Sequence, residues 1–206
     1  MMDLSEMQSG AINELMNISI GRAASSLNQL VNEEILLTAP RVLFIKRVEA
    51  SKKINSLSLN GSCAVFQAFS GPFAGDALLI FPENKSVELV RAIIGEVAPL
   101  ETLTELEHDA LTEVANIVLN ASLGSLANLL EIEISCSLPE YVKGNGESIF
   151  MLKTGSRENV GMAMFMEVDF VLKQRKINGY VVFVLDVDTT QKFLDLIDNY
   201  VSRMMM

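Results

Sequence analysis

Apolar residues recur at helical spacing in two stretches of this chain. Ile12, Leu15, Met16, Ala23, Leu27 and Leu30 form one stripe, and Leu111, Val114, Ala115, Leu119, Leu126 and Leu129 form another. A period of 3.6 puts each set on one helix face, which predicts long helices over roughly 5–31 and 104–130. Ser5 with Gln8, and Thr104 with Glu107, are capping-box pairs at the two starts. Strand-like runs follow each helix. "EILLTAPRVLFIKR", "SCAVFQAFSG" and "FAGDALLIFP" lead to a helix "ENKSVELVRAIIGE". "EIEISCSLPEYVK", "SIFMLKTG", "VGMAMFMEVDFVLK" and "INGYVVFVLDV" lead to "TTQKFLDLIDNYVSRM". Turns are expected at Gly71-Pro72, at "KGNGE" and over 155–159.

The pattern is a repeat. At a shift of 99 positions Glu14 falls on Glu113, Asn17 on Asn116, Ile18 on Ile117, Ser26 on Ser125, Leu27 on Leu126, Ile35 on Ile134 and Pro40 on Pro139. A period that long suits a duplicated unit and not a solenoid. The expected fold class is therefore α+β: duplicated helix-strands-helix halves with pseudo-two-fold symmetry. The two long helices would lie side by side on a continuous antiparallel sheet. The whole chain, 1–206, would be a single compact domain of two fused repeats, about 4–98 and 103–204, joined by a short segment that is not a Ser/Gly linker.

Charge and composition then narrow the partners. The net charge of −10 repels phosphate backbones and anionic lipid, so neither nucleic acid nor membrane insertion is expected. The apolar run "CAVFQAFSGPFAGDALLIFP" is broken by Ser70-Gly71-Pro72, Gly75 and Asp76, and reads as two strands and a turn. Cys63 and Cys136 stand apart in strand-like runs and read as core thiols of a reducing compartment. The start "MMDLSEMQ" has no basic n-region or apolar h-region, so a cytoplasmic location is expected. His108 is the one histidine, so no multi-histidine metal site is expected; it reads as a surface or capping residue. Met162, Met164 and Met166 at strand spacing read as core filler.

The candidate chemistry lies on the long helices. Side chains three apart share a face, so Glu14 with Asn17, and Glu113 with Asn116, each form a compact polar unit largely off the apolar stripe. A lone pair of this kind is ordinarily a solvated helix face. Its recurrence with matched prolines points to a site.

The second-half pattern is Asp109, Glu113, Asn116, then residues 117–138, then Pro139. It resembles the signature of the CheC/CheX/FliY family of phosphatases, which act on the phosphorylated response regulator CheY. The first half keeps Glu14, Asn17 and Pro40 but has Gly10 where the family has Asp or Ser. Two motifs in one short chain resemble the CheC branch. The resemblance implies hydrolysis of the regulator's aspartyl phosphate, with Asn116 and Asn17 positioning the attacking water and Glu113 and Glu14 docking to the regulator's active-site lysine. Asp109 would support the site through the helix dipole or through the docked partner, and Pro139 and Pro40 would shape a strand edge beneath the helix. No cofactor is implied for this chain, because the Mg²⁺ belongs to the regulator. The deamidase CheD is a further partner that the resemblance brings with it. Two other readings stay open: a binding module for a response regulator or CheD without catalysis, and a flagellar-switch structural protein of the same fold. The duplicated Glu/Asn pair argues against the last.

Overall fold

The computed structural model describes residues 4–30, 34–38, 41–57, 61–94, 103–151, 161–172 and 175–205. The element order is α1 (Glu6–Leu30), β1 (Ile35–Thr38), β2 (Val42–Lys46), α2 (Arg47–Leu57), β3 (Ser62–Ser70), β4 (Gly75–Pro82), α3 (Glu83–Ile94), α4 (Leu103–Leu130), β5 (Ser135–Cys136), β6 (Glu140–Gly144), α5 (Gly146–Met151), β7 (Met162–Leu172), β8 (Arg175–Leu185) and α6 (Val187–Met204). The same series of helix, two short strands, short helix, two long strands and helix thus occurs twice.

The strands form one eight-stranded sheet in the order β1-β7-β8-β4-β3-β5, with β2 also on β7 and β6 also on β3. Every pairing is antiparallel. β4 and β8 meet at the centre, with Leu78 opposite Val182. The short strands are exchanged: β1 and β2 pair with β7 of the second half, while β5 and β6 pair with β3 of the first. Each half thus has its sheet edge completed by strands of the other.

Helices α1 and α4 pack against each other on one face of this sheet, together with α3 and α6. At about 1.5 Å per residue each long helix runs roughly 40 Å. Small buried residues at their faces, Ala11, Ala23, Ser19, Ala115 and Ser122, let the two axes approach. Ser19 turns its Oγ back to the Leu15 carbonyl at 2.7 Å. The core between helices and sheet contains Phe193 of α6, whose ring lies 6.2 Å from Phe44 and 5.1 Å from Phe73. By length and composition Glu105–Leu130 is apolar enough to cross a membrane, yet over half of its most apolar window is buried inside the fold.

The expected capping box at Ser5 is present, with reciprocal 3.1 Å bonds between each backbone N–H and the other's side chain. The Thr104 side chain of its expected twin lies outside the described residues. Glu107 accepts from Ser86 Oγ of α3 and so ties α4 to α3.

One correction concerns the opposite sheet face. The run "SIFMLKTG" does not begin as a strand: Ser148 to Met151 lie in α5, capped by Asn145 Oδ1 at 2.8 Å from Ser148 N, and the rest lies outside the described residues. Helices α2 and α5 cover this face over a second apolar layer that includes Ile54, Phe66, Ile80, Phe150, Phe165 and Val182. A Cβ on Gly146 would stand 2.3 Å from the Ser51 carbonyl oxygen, so this crossing needs glycine. The physical signal was in the strands: β3, β4, β7 and β8 read as continuous apolar runs because both of their faces are buried. Cys63 is buried as expected, whereas Cys136 is exposed, because β5 is a two-residue strand at the edge of the sheet. Met164 and Met166 are core.

Candidate functional site

Glu14 and Asn17 on α1, and Glu113 on α4, are exposed, and Asn116 is half-buried. Each pair projects from its helix away from the apolar stripe, as the spacing predicts. Neither Glu113 nor Glu14 makes an ion pair with a described residue. Asp109 is exposed one turn before Glu113, and Gly10 in the matching place has open space where a side chain would go. Pro40 lies outside the described residues.

The surroundings of the two asparagines differ. Asn116 Oδ1 accepts from Asn120 Nδ2 at 2.7 Å and from Gln67 Nε2 at 3.5 Å. Gln67 is 1 % exposed on β3, and the same Nε2 donates to the Ser137 carbonyl at 3.0 Å. No hydrogen bond to the Asn17 side chain occurs among the described residues, and at the repeat shift of 99 the places of Asn120 and Gln67 are held by Gly21 and Met166. In the first half the helix-to-strand tie is made by the neighbouring Asn13, whose Oδ1 accepts from Val42 N at 2.9 Å. Gln67, Asn120 and Asn13 were all missed in the sequence. Asn120 could have been suspected from its place one turn after Asn116, but Gln67 sits in a strand and nothing in its own run marks it.

The segment leading to Pro139 reaches this site by geometry. From Asn116 the chain descends to Leu130 and returns through the exposed strand β5, about 20 Å down the helix and a similar length of extended chain back. That return accounts for the long gap in the motif. Along β3 the register moves by one: Phe69 faces Cys136, but Phe66 faces Glu140, so three residues stand opposite two. This is a bulge, and Ser137, Leu138 and Pro139 form it. Proline cannot donate to a ladder and is accommodated where pairing is interrupted. Ser137 anchors the bulge by donating its N–H to the Ala68 carbonyl at 2.8 Å and accepting from Ala68 N on Oγ at 3.0 Å. Leu138 is 85 % exposed beside it. On β1 and β2 the register also moves by one, between Thr38 opposite Asp169 and Val42 opposite Met166.

His108 is exposed, and its ring stands 4.6 Å from that of Tyr141 on β6. Tyr141 donates to Cys63 Sγ at 3.2 Å, and burial together with this contact and nearby carboxylates raises its phenol above the usual range. These groups brace α4 on β3 and β6. No cluster of three or more metal-ligating side chains occurs among the described residues. The arrangement is an oriented amide beside an exposed carboxylate on an accessible helix.

Comparison with known proteins agrees with the motif. A model of the CheC-like family matches residues 7–43, the segment that holds Glu14, Asn17 and Pro40. The flagellar motor switch phosphatase FliY of Bacillus subtilis is 28% identical over 139 residues, 66% of this chain and 36% of that protein. The CheY-P phosphatase CheC of Bacillus subtilis is 26% identical over 140 residues, 66% of each. Matching therefore spans little more than a third of the first relative and about two thirds of the second. Among solved structures, Thermotoga maritima FliY superposes with a TM-score of 0.73 at 21% identity over 98% of this chain and 99% of that one. The FliM middle domain from H. pylori gives 0.61 at 11% identity over 94% and 99%. The resemblance to the CheC/CheX/FliY family read from the motif is thus carried by sequence relatives and by the fold, and the fold is shared with FliM.

Proposed function

We propose that this chain hydrolyses the aspartyl phosphate of a CheY-type response regulator, chiefly through the α4 site. The observation that carries this reading is the Asn116 amide, held by its neighbours and set one helical turn from the exposed Glu113 on an accessible face. Glu113 would pair with the regulator's active-site lysine and dock the helix. The amide would enter the regulator's pocket and orient a water in line with the acyl phosphate. The water oxygen bonds to phosphorus as the bond to the aspartyl oxygen breaks; aspartate leaves as carboxylate and the water protons depart with inorganic phosphate. Positioning and charge supply most of the stabilisation of such a transition state. The metal that neutralises the phosphoryl oxygens would be the regulator's own Mg²⁺. Within this reading the chain works as one unit of two repeats, because each half completes the other's sheet edge, and it works in the cytoplasm, where the regulator is.

A second reading, a switch scaffold, is favoured by the likeness to the FliM middle domain. One assay separates the two. Mixed with a CheY-type regulator phosphorylated by acetyl phosphate, the chain should accelerate phosphate release, and Asn116→Ala should not. Binding to the regulator with no acceleration would leave the non-catalytic module, of which CheD is a further expected partner. No binding and no acceleration would favour the scaffold.

A further inference from the structure

We propose that the bulge before Pro139 sets the polarity of the catalytic amide, so that Asn116 meets the partner with its NH₂ group and not with its carbonyl oxygen, and that Gln67 and Asn120 are the positioning residues which enforce this. The inference rests on the phosphatase reading of the α4 site and adds to it which edge of the amide does the work.

The Ser137 oxygen can only accept, so the Gln67 group 3.0 Å away must be its NH₂. That same NH₂ faces Asn116, which therefore turns its oxygen toward Gln67. Asn120 then has to present its NH₂ to the same oxygen, at 2.7 Å. Both lone pairs of Asn116 Oδ1 are engaged, and the edge left for a partner is Nδ2. Ser137 cannot rotate out of this arrangement, because its N–H and Oγ are both bonded to Ala68 across the bulge. Gln67 is held by burial on β3, and its own Oε1 has no partner among the described residues. Leaving a buried acceptor unpaired is unfavourable. Reversing Gln67 to relieve it would set two carbonyl oxygens, Ser137 O and Oε1, against each other. The polarity is fixed from the sheet upward.

An outward NH₂ donates to a lone pair of the attacking water, or to a phosphoryl oxygen, and leaves the water's other lone pair directed at phosphorus. An outward oxygen could only accept an O–H of the water and would offer no hydrogen bond to a phosphoryl oxygen. The first-half site lacks this device, since Gly21 and Met166 replace both donors at the repeat shift.

Asn120 is exposed, so its substitution tests the inference without disturbing the core. Asn120→Asp keeps the shape but replaces the donor with an acceptor, which draws the Asn116 NH₂ inward. Single-turnover phosphate release from an acetyl-phosphate-labelled CheY-type regulator, at saturating chain, should fall roughly tenfold or more. Binding to the same regulator treated with beryllofluoride and Mg²⁺ should stay at the unmodified level. Asn120→Ala, which removes the donor without adding repulsion, should lose less than Asp. Gln67→Glu should behave as Asn120→Asp if it folds. In the Asn116→Ala background, Gly21→Asn, which has open space for its side chain, should raise release from the Asn17 site. The Asn116 side-chain NH₂ resonance gives a readout free of activity: it should exchange with solvent in the unmodified chain and become protected in Asn120→Asp. If Asn120→Asp releases phosphate as fast as the unmodified chain while Asn116→Ala is inactive, the polarity inference is wrong and the phosphatase reading stands. If the unmodified chain releases no phosphate, the reading itself fails; the NH₂ exchange then still decides the polarity.

Discussion

Asn120 Nδ2 stands 2.7 Å from Asn116 Oδ1, one helical turn apart on α4, and among the described residues no such donor stands beside Asn17. The two motif copies are therefore unequal. Asn116→Ala should remove most of the phosphate release while regulator affinity is retained, because the amide acts on the transition state. Asn17→Ala should cost much less, measured in the same assay. Equal losses would show that the supports around Asn116 are irrelevant.

Glu113 is exposed and makes no ion pair with a described residue, so its proposed task is met only on docking. Glu113→Ala should weaken affinity for the regulator by about 2 kcal/mol or more, the scale for truncating one member of a desolvated charge pair. Glu113→Gln should fall between the two. Titration calorimetry against the beryllofluoride-treated regulator checks this; unchanged affinity with slowed release would remove Glu113 from the docking role.

At Gly10 a side chain would enter open space. Gly10→Asp restores the acid that Asp109 supplies to the second helix. It also replaces glycine inside a helix, which removes a destabilising residue. A small rise in melting temperature is expected, and a rise in first-site release, read in the Asn116→Ala background, if the acid assists docking. A rise in stability alone would assign Asp109 to the helix and not to the partner.

Asp186 caps α6, accepting from Thr189 N at 2.7 Å on Oδ1. Hydrogen bonding by Thr189 lowers its carboxyl below the usual range. A depressed folded-state value means stabilisation that is present above the unfolded-state value, about 3.9 for Asp, and is lost as pH falls through the folded-state value. Asp186→Ala should cost on the order of 1 kcal/mol near neutral pH. Asp186→Asn should keep much of the cap and flatten the acid limb of the stability profile. Urea melts across acidic pH test both.

Phe193 fills the space between Phe44, Phe73 and the sheet and is fully buried. Phe193→Ala should destabilise the fold by about 3–5 kcal/mol. Urea unfolding of the two chains measures it, and a loss below 1 kcal/mol, of the order expected at the surface, would mean this cluster is not the core.

Much of this protein was legible in its sequence because local periodicity carries it. The 3.6 period and the Ser5 cap marked α1, apolar runs bounded by turn residues marked the long strands, and a repeat of Glu14-Asn17 at Glu113-Asn116 marked helix positions off the apolar stripe. These are relations within a few residues, or between copies of one pattern, and a linear string records them. What the tertiary structure alone decided are relations between distant segments. The exchange of β1 and β2 onto β7, and of β5 and β6 onto β3, is a choice of partners among strands of similar character. Glu107 of α4 meets Ser86 of α3 across the fold, a contact that nothing in either local run announces. The support of Asn116 by Gln67 joins a helix to a strand and a bulge, 49 residues apart in the first case and 70 from Gln67 to Ser137 in the second. Hydrogen-bond direction depends on which atoms meet, and only the packed sheet brings these three together.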